Sequence, residues 1–396
     1  MIDQQPVGAL RMFFIFLRLG LTSFGGPVAH LGYLRQEFVV RRRWMDEAGY
    51  ADLVALAQFL PGPASSQTGF AIGVMRGGLP GGLAAWLGFT LPAAAVMVLA
   101  ALGATFAQAG IGAGIAHGLK LVAVAVVAQA VWGMAGSLCP DRPRATLAIL
   151  AAGLLLLLPG AWTQVGVIVI GAVAGVWLLR GVAPAAGGVL GFAVPARAGI
   201  AALVLAGGLL LVLPLLAVGG GRMLEMFEAS YRAGALVFGG GHVVLPLLEE
   251  SFVGPGWLDH GSFLAGYGVA QAMPGPLFTF AAYLGAAAMP AWGGVPGAVV
   301  AVVGIFLPGL LLIYGMLPFW DELRRRKLAQ AVLRGVNAAV VGILLAALYD
   351  PIATAAIVTR ADAAVALAAF AALVLWRVPV WAVVIGTAAA GVLIGG

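Results

Sequence analysis

Charge is what this sequence has least of. Lys, Arg, Asp and Glu make up 9% of its 396 residues, against roughly 25% in an ordinary soluble domain, which excludes water as its main solvent. Cysteine is almost missing as well. Cys139 stands alone, so an internal disulfide and any multi-cysteine metal site are excluded, and a packing role near a helix end is what remains for it. The four histidines, His30, His117, His242 and His260, are scattered, and no His-Glu-x-x-His occurs. An intramembrane enzyme would need such a metal or nucleophile set, so neither catalytic residues nor a resident metal or cofactor is expected. The opening Met1-Ile-Asp-Gln-Gln-Pro lacks the basic start and apolar stretch of a secretory signal, and the first apolar segment is expected to be retained.

Apolar residues fill the space: 62% of the chain is hydrophobic. The runs Leu147 to Leu158, Val165 to Leu179, Ile200 to Val218 and Val295 to Leu317 approach the ~20 residues that span a bilayer. The 59 glycines and 22 prolines fit transmembrane helices that pack closely or are broken. The reading is an all-α polytopic membrane protein with the lipid bilayer as its partner and no room for a separate soluble domain. The net charge of +6 does not point to nucleic acid, because the basic residues cluster in short loops, where they set orientation. A bacterial inner membrane is the expected location, and a homodimer is compatible with the sequence.

Self-similarity organises the chain. Phe16 to Pro27 (FLRLGLTSFGGP) aligns with Ser230 to Gly241 (SYRAGALVFGGG), pairing Arg18 with Arg232 and Phe24-Gly25-Gly26 with Phe238-Gly239-Gly240. After a one-residue gap Glu37 meets Glu250, Trp44 meets Trp257, Asp46 meets Asp259, Gln58 meets Gln271, and Pro61-Gly62-Pro63 meets Pro274-Gly275-Pro276. Pro92 meets Pro308, and Gly118-Leu119-Lys120 meets Gly335-Val336-Asn337. The expected organisation is one repeat over 1–180, a linker with a connecting span over 181–221, and a second repeat over 222–396. The loop Arg35 to Glu47 carries four arginines, while its counterpart Glu249 to His260 has acidic residues and no Lys or Arg. Thr105 to His117 lacks Lys and Arg, whereas Arg324, Arg325, Arg326 and Lys327 follow in the second copy. Basic loops lie inside, so the repeats are inverted, with Ile200 to Val218 supplying the odd crossing between them.

The Pro-Gly-Pro segments cannot be plain spanning helices, since proline breaks the backbone ladder. Each is expected to be two half-helices, the second starting near Ala64 or Leu277, and the Phe-Gly-Gly segments to be re-entrant. A break in hydrocarbon leaves polar backbone that protein, water or a ligand must satisfy. Half-helix N-termini offer free N–H groups and partial positive charge, which suits an anion. The candidate substrate-binding set is therefore Gly25, Gly26, Gln58, Gly62, Ser65, Ser66, Thr68, Gly239, Gly240, His242, Gln271, Gly275 and Thr279, with Arg18 and Arg232 as possible charges. The bland alternatives are structural kinks for the breaks, and snorkelling or pairing with an acidic neighbour for the arginines. Glu37, Glu250, Asp46 and Asp259 read as caps or ion pairs, and Trp44 and Trp257 as interfacial anchors.

Phe24-Gly25-Gly26 with Pro61-Gly62-Pro63, repeated as Phe238-Gly239-Gly240 with Pro274-Gly275-Pro276, resembles the chromate ion transporter family over almost the whole chain. The resemblance implies a two-domain secondary transporter exporting chromate from the bacterial cytoplasm, with sulfate as the chemical look-alike. An oxyanion channel and a sulfate uptake carrier stand as alternatives. Gly241 replaces Pro27, and Leu277-Phe278 replaces Ala64-Ser65, so unequal contributions of the two halves are expected.

Overall fold

The computed structural model describes residues 6–23, 26–104, 111–158, 161–179, 194–237, 244–288, 293–323 and 326–394, and every regular element among them is helical. The first repeat contains α1 (Ala9–Thr22), α2 (Gly26–Arg35) running into a π-helical turn (Gln36–Arg41), α3 (Glu47–Phe59), α4 (Ala64–Ala104), α5 (Ile111–Leu138), α6 (Arg142–Leu157) and α7 (Ala161–Leu178). The linker helix is α8 (Ala196–Ala217). The second repeat has α9 (Arg222–Ala235), α10 (Val244–Phe252), α11 (His260–Ala272), a 3-10 turn (Leu277–Thr279) leading into α12 (Phe280–Ala287), and α13 (Gly294–Met316). It continues through α14 (Trp320–Leu323), α15 (Lys327–Ala347), α16 (Thr354–Ala356), α17 (Arg360–Val374) and α18 (Val380–Ile394).

The element α4 is not one rod. At Gly77 (φ −143°) and Gly78 (φ +62°) the backbone leaves the helical region, and a Cβ on Gly73 would lie 2.5 Å from the Gly81 carbonyl oxygen. Such an approach is open only to glycine, and it folds the arm 64–76 back against 79–104. The second repeat uses the same device, with Gly294 at φ +65° and Gly285 pressed onto the Gly297 carbonyl. Pro80 and Pro296 follow, near the start of each new helix, where a missing N–H costs nothing.

The broken segments enter and leave by one face. The Arg76 guanidinium, at the end of arm 64–76, sits 5.1 Å from the centroid of the Trp44 ring, and Val7 N–H donates to the Arg76 carbonyl at 2.9 Å. The start of α1, the arginine-rich loop, the start of α3 and the end of arm 64–76 therefore share a face. Helices α1–α2 and α3 with arm 64–76 are two re-entrant hairpins, and α3, with 13 residues, reaches about 20 Å inward at 1.5 Å per residue. In the second repeat the Tyr283 hydroxyl donates to the Ser262 carbonyl at 3.2 Å, which brings the middle of α12 back beside the start of α11. The Pro-Gly-Pro segments are thus hairpins, like the Phe-Gly-Gly segments, and the crossing that follows each is made by 79–104 and by α13.

Five described helices are long and apolar enough to span a bilayer, within α4, α5, α8, α13 and α15. Spanning helices are exchanged between repeats. A Cβ at Gly118 of α5 would lie 2.1 Å from the Thr387 carbonyl oxygen of α18, and one at Gly335 of α15 would lie 1.9 Å from the Gly171 carbonyl oxygen of α7. Small residues let these backbones touch, and because Gly118 and Gly335 are repeat equivalents, the two contacts are related by the same pseudo-two-fold. The linker α8 packs on the second repeat through Gly199 against Gly315 and through the Tyr231 hydroxyl, which donates to the Ala206 carbonyl at 2.8 Å.

Loop residues behave as caps and ion pairs. Asp46 accepts from Gly49 N–H and Asp259 from Ser262 N–H, each capping its helix. Burial opposes ionisation of Glu37, but hydrogen bonds from Arg42 and Arg41 prevail and hold its carboxyl below the usual range. The tryptophans differ from expectation. Trp44 and Trp257 are only 5% and 7% exposed, stacked on Phe38 and packed against Phe252. They wedge the bases of the hairpins rather than anchoring in the interface, because each hairpin must close on itself there.

Candidate functional site

The four breaks meet as two crossed pairs. Gly62, in Pro61-Gly62-Pro63 of the first repeat, donates its N–H to the Val237 carbonyl at 2.7 Å, and Gly275 of the second repeat donates to the Ser23 carbonyl at 3.0 Å. Ser23 and Val237 are the residues just before the two Phe-Gly-Gly motifs. The tip of each Pro-Gly-Pro hairpin is thus held by the Phe-Gly-Gly hairpin entering from the opposite face. Gly62 has φ +120° and Gly275 φ +103°, conformations that a side chain disfavours.

Each tip also rests on a spanning helix of the other repeat, beside a proline. A Cβ on Gly62 would lie 3.1 Å from Gly309 Cα, next to Pro308, and one on Gly275 would lie 2.9 Å from Ala93 Cβ, next to Pro92. Gln67 ties the first contact together. Fully buried, it donates from Nε2 to the Pro61 carbonyl at 2.9 Å and to the Gly309 carbonyl at 3.1 Å, bridging the repeats, while its Oε1 has no partner.

The candidate residues separate into groups. Ser65 and Ser66 are buried at the start of arm 64–76, and the Ser66 hydroxyl has no partner. By helix geometry the first-turn amides there have no acceptor within the helix. Thr68 and Thr279 are buried too, but their hydroxyls donate back to the Ala64 and Pro276 carbonyls at 2.8 and 2.7 Å. Gln271 is half-buried, is hydrogen-bonded through its side chain to the Tyr267 hydroxyl, and keeps Nε2 unpartnered. Gln58, its repeat equivalent, is exposed. Gly26 begins α2, whereas Gly25, Gly239, Gly240 and His242 lie outside the described residues.

The arginines are not brought to the tips together. Arg232 donates from Nε to Glu228 Oε1 at 2.8 Å, one turn away on α9, so its charge is answered by an acidic neighbour. The pair lines a cavity of ≈ 630 Å³ that Arg222, Glu225, Glu250 and Trp257 also line. Arg18 is exposed, on a stripe of α1 shared with Leu10, Phe14 and Leu21. Its repeat has no acid to match Glu228, where the alignment puts Phe14.

Three polar residues at the tips escaped the sequence reading: Gln67, Ser23 and His30. The His30 ring is buried with Nε2 3.1 Å from the Ser23 carbonyl oxygen, the atom that also accepts from Gly275, and the Ser23 hydroxyl has no partner. The available signal was a Gln inside the Ser65-Ser66-Gln67-Thr68 run, as polar and as deeply apolar in its surroundings as the hydroxyl residues beside it.

Comparison with known proteins bears on this arrangement. The family model described as Chromate transporter matches residues 10–176 and 224–392, one match per repeat. A chromate transport protein of Pseudomonas aeruginosa is 31% identical over 369 residues, 87% of this chain and 81% of that protein. One of Cupriavidus metallidurans is 28% identical over 364 residues, with 87% and 83% covered. An uncharacterized transporter of Methanocaldococcus jannaschii is 25% identical over 344 residues, with 85% and 83% covered. No solved structure matches the chain.

Proposed function

The chain belongs to the chromate transporter family, and from that premise we propose that it is a secondary carrier of a tetrahedral oxyanion, chromate with sulfate as its analogue, exporting it across a bacterial inner membrane. The arginine-rich face is then cytoplasmic and the acidic face external. The anion binds where the hairpin tips cross, on the first-turn amides after Pro63 and the hydroxyls of Ser65 and Ser66. The observation that carries this reading is the crossed pair of bonds, Gly62 N–H to Val237 and Gly275 N–H to Ser23, which ties hairpins from opposite faces at one depth. A site there can be opened to either side by withdrawing one pair of hairpins while the other keeps it closed.

The two halves contribute unequally. The first presents Ala64-Ser65-Ser66, the second Leu277-Phe278-Thr279 with the Thr279 hydroxyl already engaged. The half-helix amides suit any oxyanion, and chromate as substrate rests on the relatives. An inside-negative potential favours leaving for a dianion by roughly 2.3 kcal/mol per charge per 100 mV, about 4.6 kcal/mol in all. The test is uptake of labelled chromate and sulfate into everted vesicles containing the protein. Saturable uptake with counter-flow is expected. Non-saturating flux without counter-flow would make the protein a channel, and no flux of either anion would overturn the reading.

A further inference from the structure

A second polar site lies on the acidic face, away from the tips. A cavity of ≈ 360 Å³ is lined by Glu249 and Glu250 of α10, His260 at the start of α11, Asp350 beyond α15 and Gln164 of α7, and no Lys or Arg is among its described lining residues. Glu249 is 5% exposed. Its Oε1 is 2.7 Å from His260 Nδ1, but Oε2 is buried without any partner. Gln164, 8% exposed, likewise leaves its Oε1 without a partner.

An ionised Glu249 would keep one oxygen buried, uncompensated and facing Glu250 and Asp350, with His260 as the described lining group able to be positive and the Lys120 ammonium beyond it, beside Gly261 and Asp259. Burial and like charges both favour the neutral acid. A proton on Oε2 removes the buried charge and supplies the donor that the acceptors lining this cavity lack. Glu249 also sits on α10, the returning arm of the hairpin whose entering arm ends near Val237, the acceptor of Gly62. A change of charge there acts on a helix that packs against α9, just past whose end Val237 holds the Gly62 tip.

We propose that Glu249 is a proton-binding residue of an external-face cavity, loaded from water there and unloaded during the transport cycle, so that oxyanion movement is coupled to H⁺. The chemistry is a proton transfer between water and carboxylate, with His260 holding the other oxygen. Coupling rests on the carrier reading above, whereas proton binding does not.

Two measurements separate them. In infrared difference spectra of the purified protein, lowering the pH should produce a carboxylic-acid band that is absent in Glu249→Gln. In proteoliposomes with an internal pH dye and a clamped potential, chromate or sulfate flux in the parent should carry protons. Glu249→Gln should move anion with less than a tenth of the parent's proton flux and with a flattened pH profile. Retention of the band in the variant, or of the parent proton-to-anion ratio, overturns the proposal, as does a parent flux that depends on Na⁺ and not on pH. If the parent moves no oxyanion yet shows the Glu249-dependent band, the carrier reading fails and the proton site stands. Should Glu249→Gln fail to insert, His260→Gln must shift the pH midpoint of the band, and an unmoved midpoint overturns the proposal.

Discussion

Replacing Gly62 by alanine adds one methyl group at the most constrained point of the first Pro-Gly-Pro tip. The methyl would lie 3.1 Å from Gly309 Cα and 3.0 Å from Gln67 Nε2. Neither can retreat freely, since Gly309 belongs to α13 and Gln67 is held by the Pro61 and Gly309 carbonyls. The backbone at φ +120° adds strain of order 1–3 kcal/mol for a residue with a Cβ, and crowding of a packed site adds typically ~1–3 kcal/mol. A combined cost near 3 kcal/mol is about a hundredfold in the population of the joined tips, at ~1.4 kcal/mol per tenfold. Counter-flow of labelled sulfate in proteoliposomes, with matched protein content, should fall accordingly, and Gly275→Ala should behave similarly, its methyl meeting Ala93 at 2.9 Å. Gly207→Ala is the control, because a Cβ there meets nothing within 4 Å. Two tip variants that both transport within twofold of the parent would refute the view that the tips cross at the site.

Gln67→Leu removes hydrogen bonds to the Pro61 carbonyl of its own tip and to the Gly309 carbonyl of α13, worth ~1 kcal/mol each, so counter-flow and the melting temperature in detergent should both drop; a parent-like variant in both assays would leave Gln67 without a bridging role. Arg232→Leu should impair transport more than Arg18→Leu at matched expression, because it strands Glu228, whose side chain is 13% exposed, without its cation; the reverse order would refute the assignment of Arg232 to that pair. Cysteines at Arg41 and Gly254 should label with an impermeant thiol reagent from opposite sides, and labelling of both from outside would refute the inversion.

The repeats and their inversion were legible because Arg, Trp, Asp, Gln and Pro-Gly-Pro recur in order, and because loop arginines switch sides. The depth of the hairpins was not. A 13-residue arm such as α3 reads the same whether the chain beyond Pro63 continues across or turns back, and the return depends on Gly77-Gly78, two small residues among 59 glycines. The partner of each break was hidden for a different reason: Gly62 to Val237 and Gly275 to Ser23 are contacts between repeats, which local pattern does not encode. Gln67 went unread between Ser66 and Thr68, whose hydroxyls read as the anion donors. The sequence offers both arginines to the anion, with an acidic neighbour as the alternative; for Arg232 that neighbour, Glu228, was readable at i−4, whereas Phe14 stands at that place in the first repeat.

The crossed tips also impose an order on synthesis. Ser23 is inserted into the membrane long before Gly275 exists, and 252 residues separate them in the chain. At ~5–20 residues per second the ribosome needs roughly 13–50 s to deliver the second partner. Throughout that interval the Ser23 carbonyl would be an exposed acceptor in a half-built bundle, and likewise the Gly62 amide until Val237 arrives. His30, seven residues after Ser23 and 3.1 Å from the same oxygen, emerges within a second or two at that pace. It can shelter the nascent tip until the second half arrives to complete it.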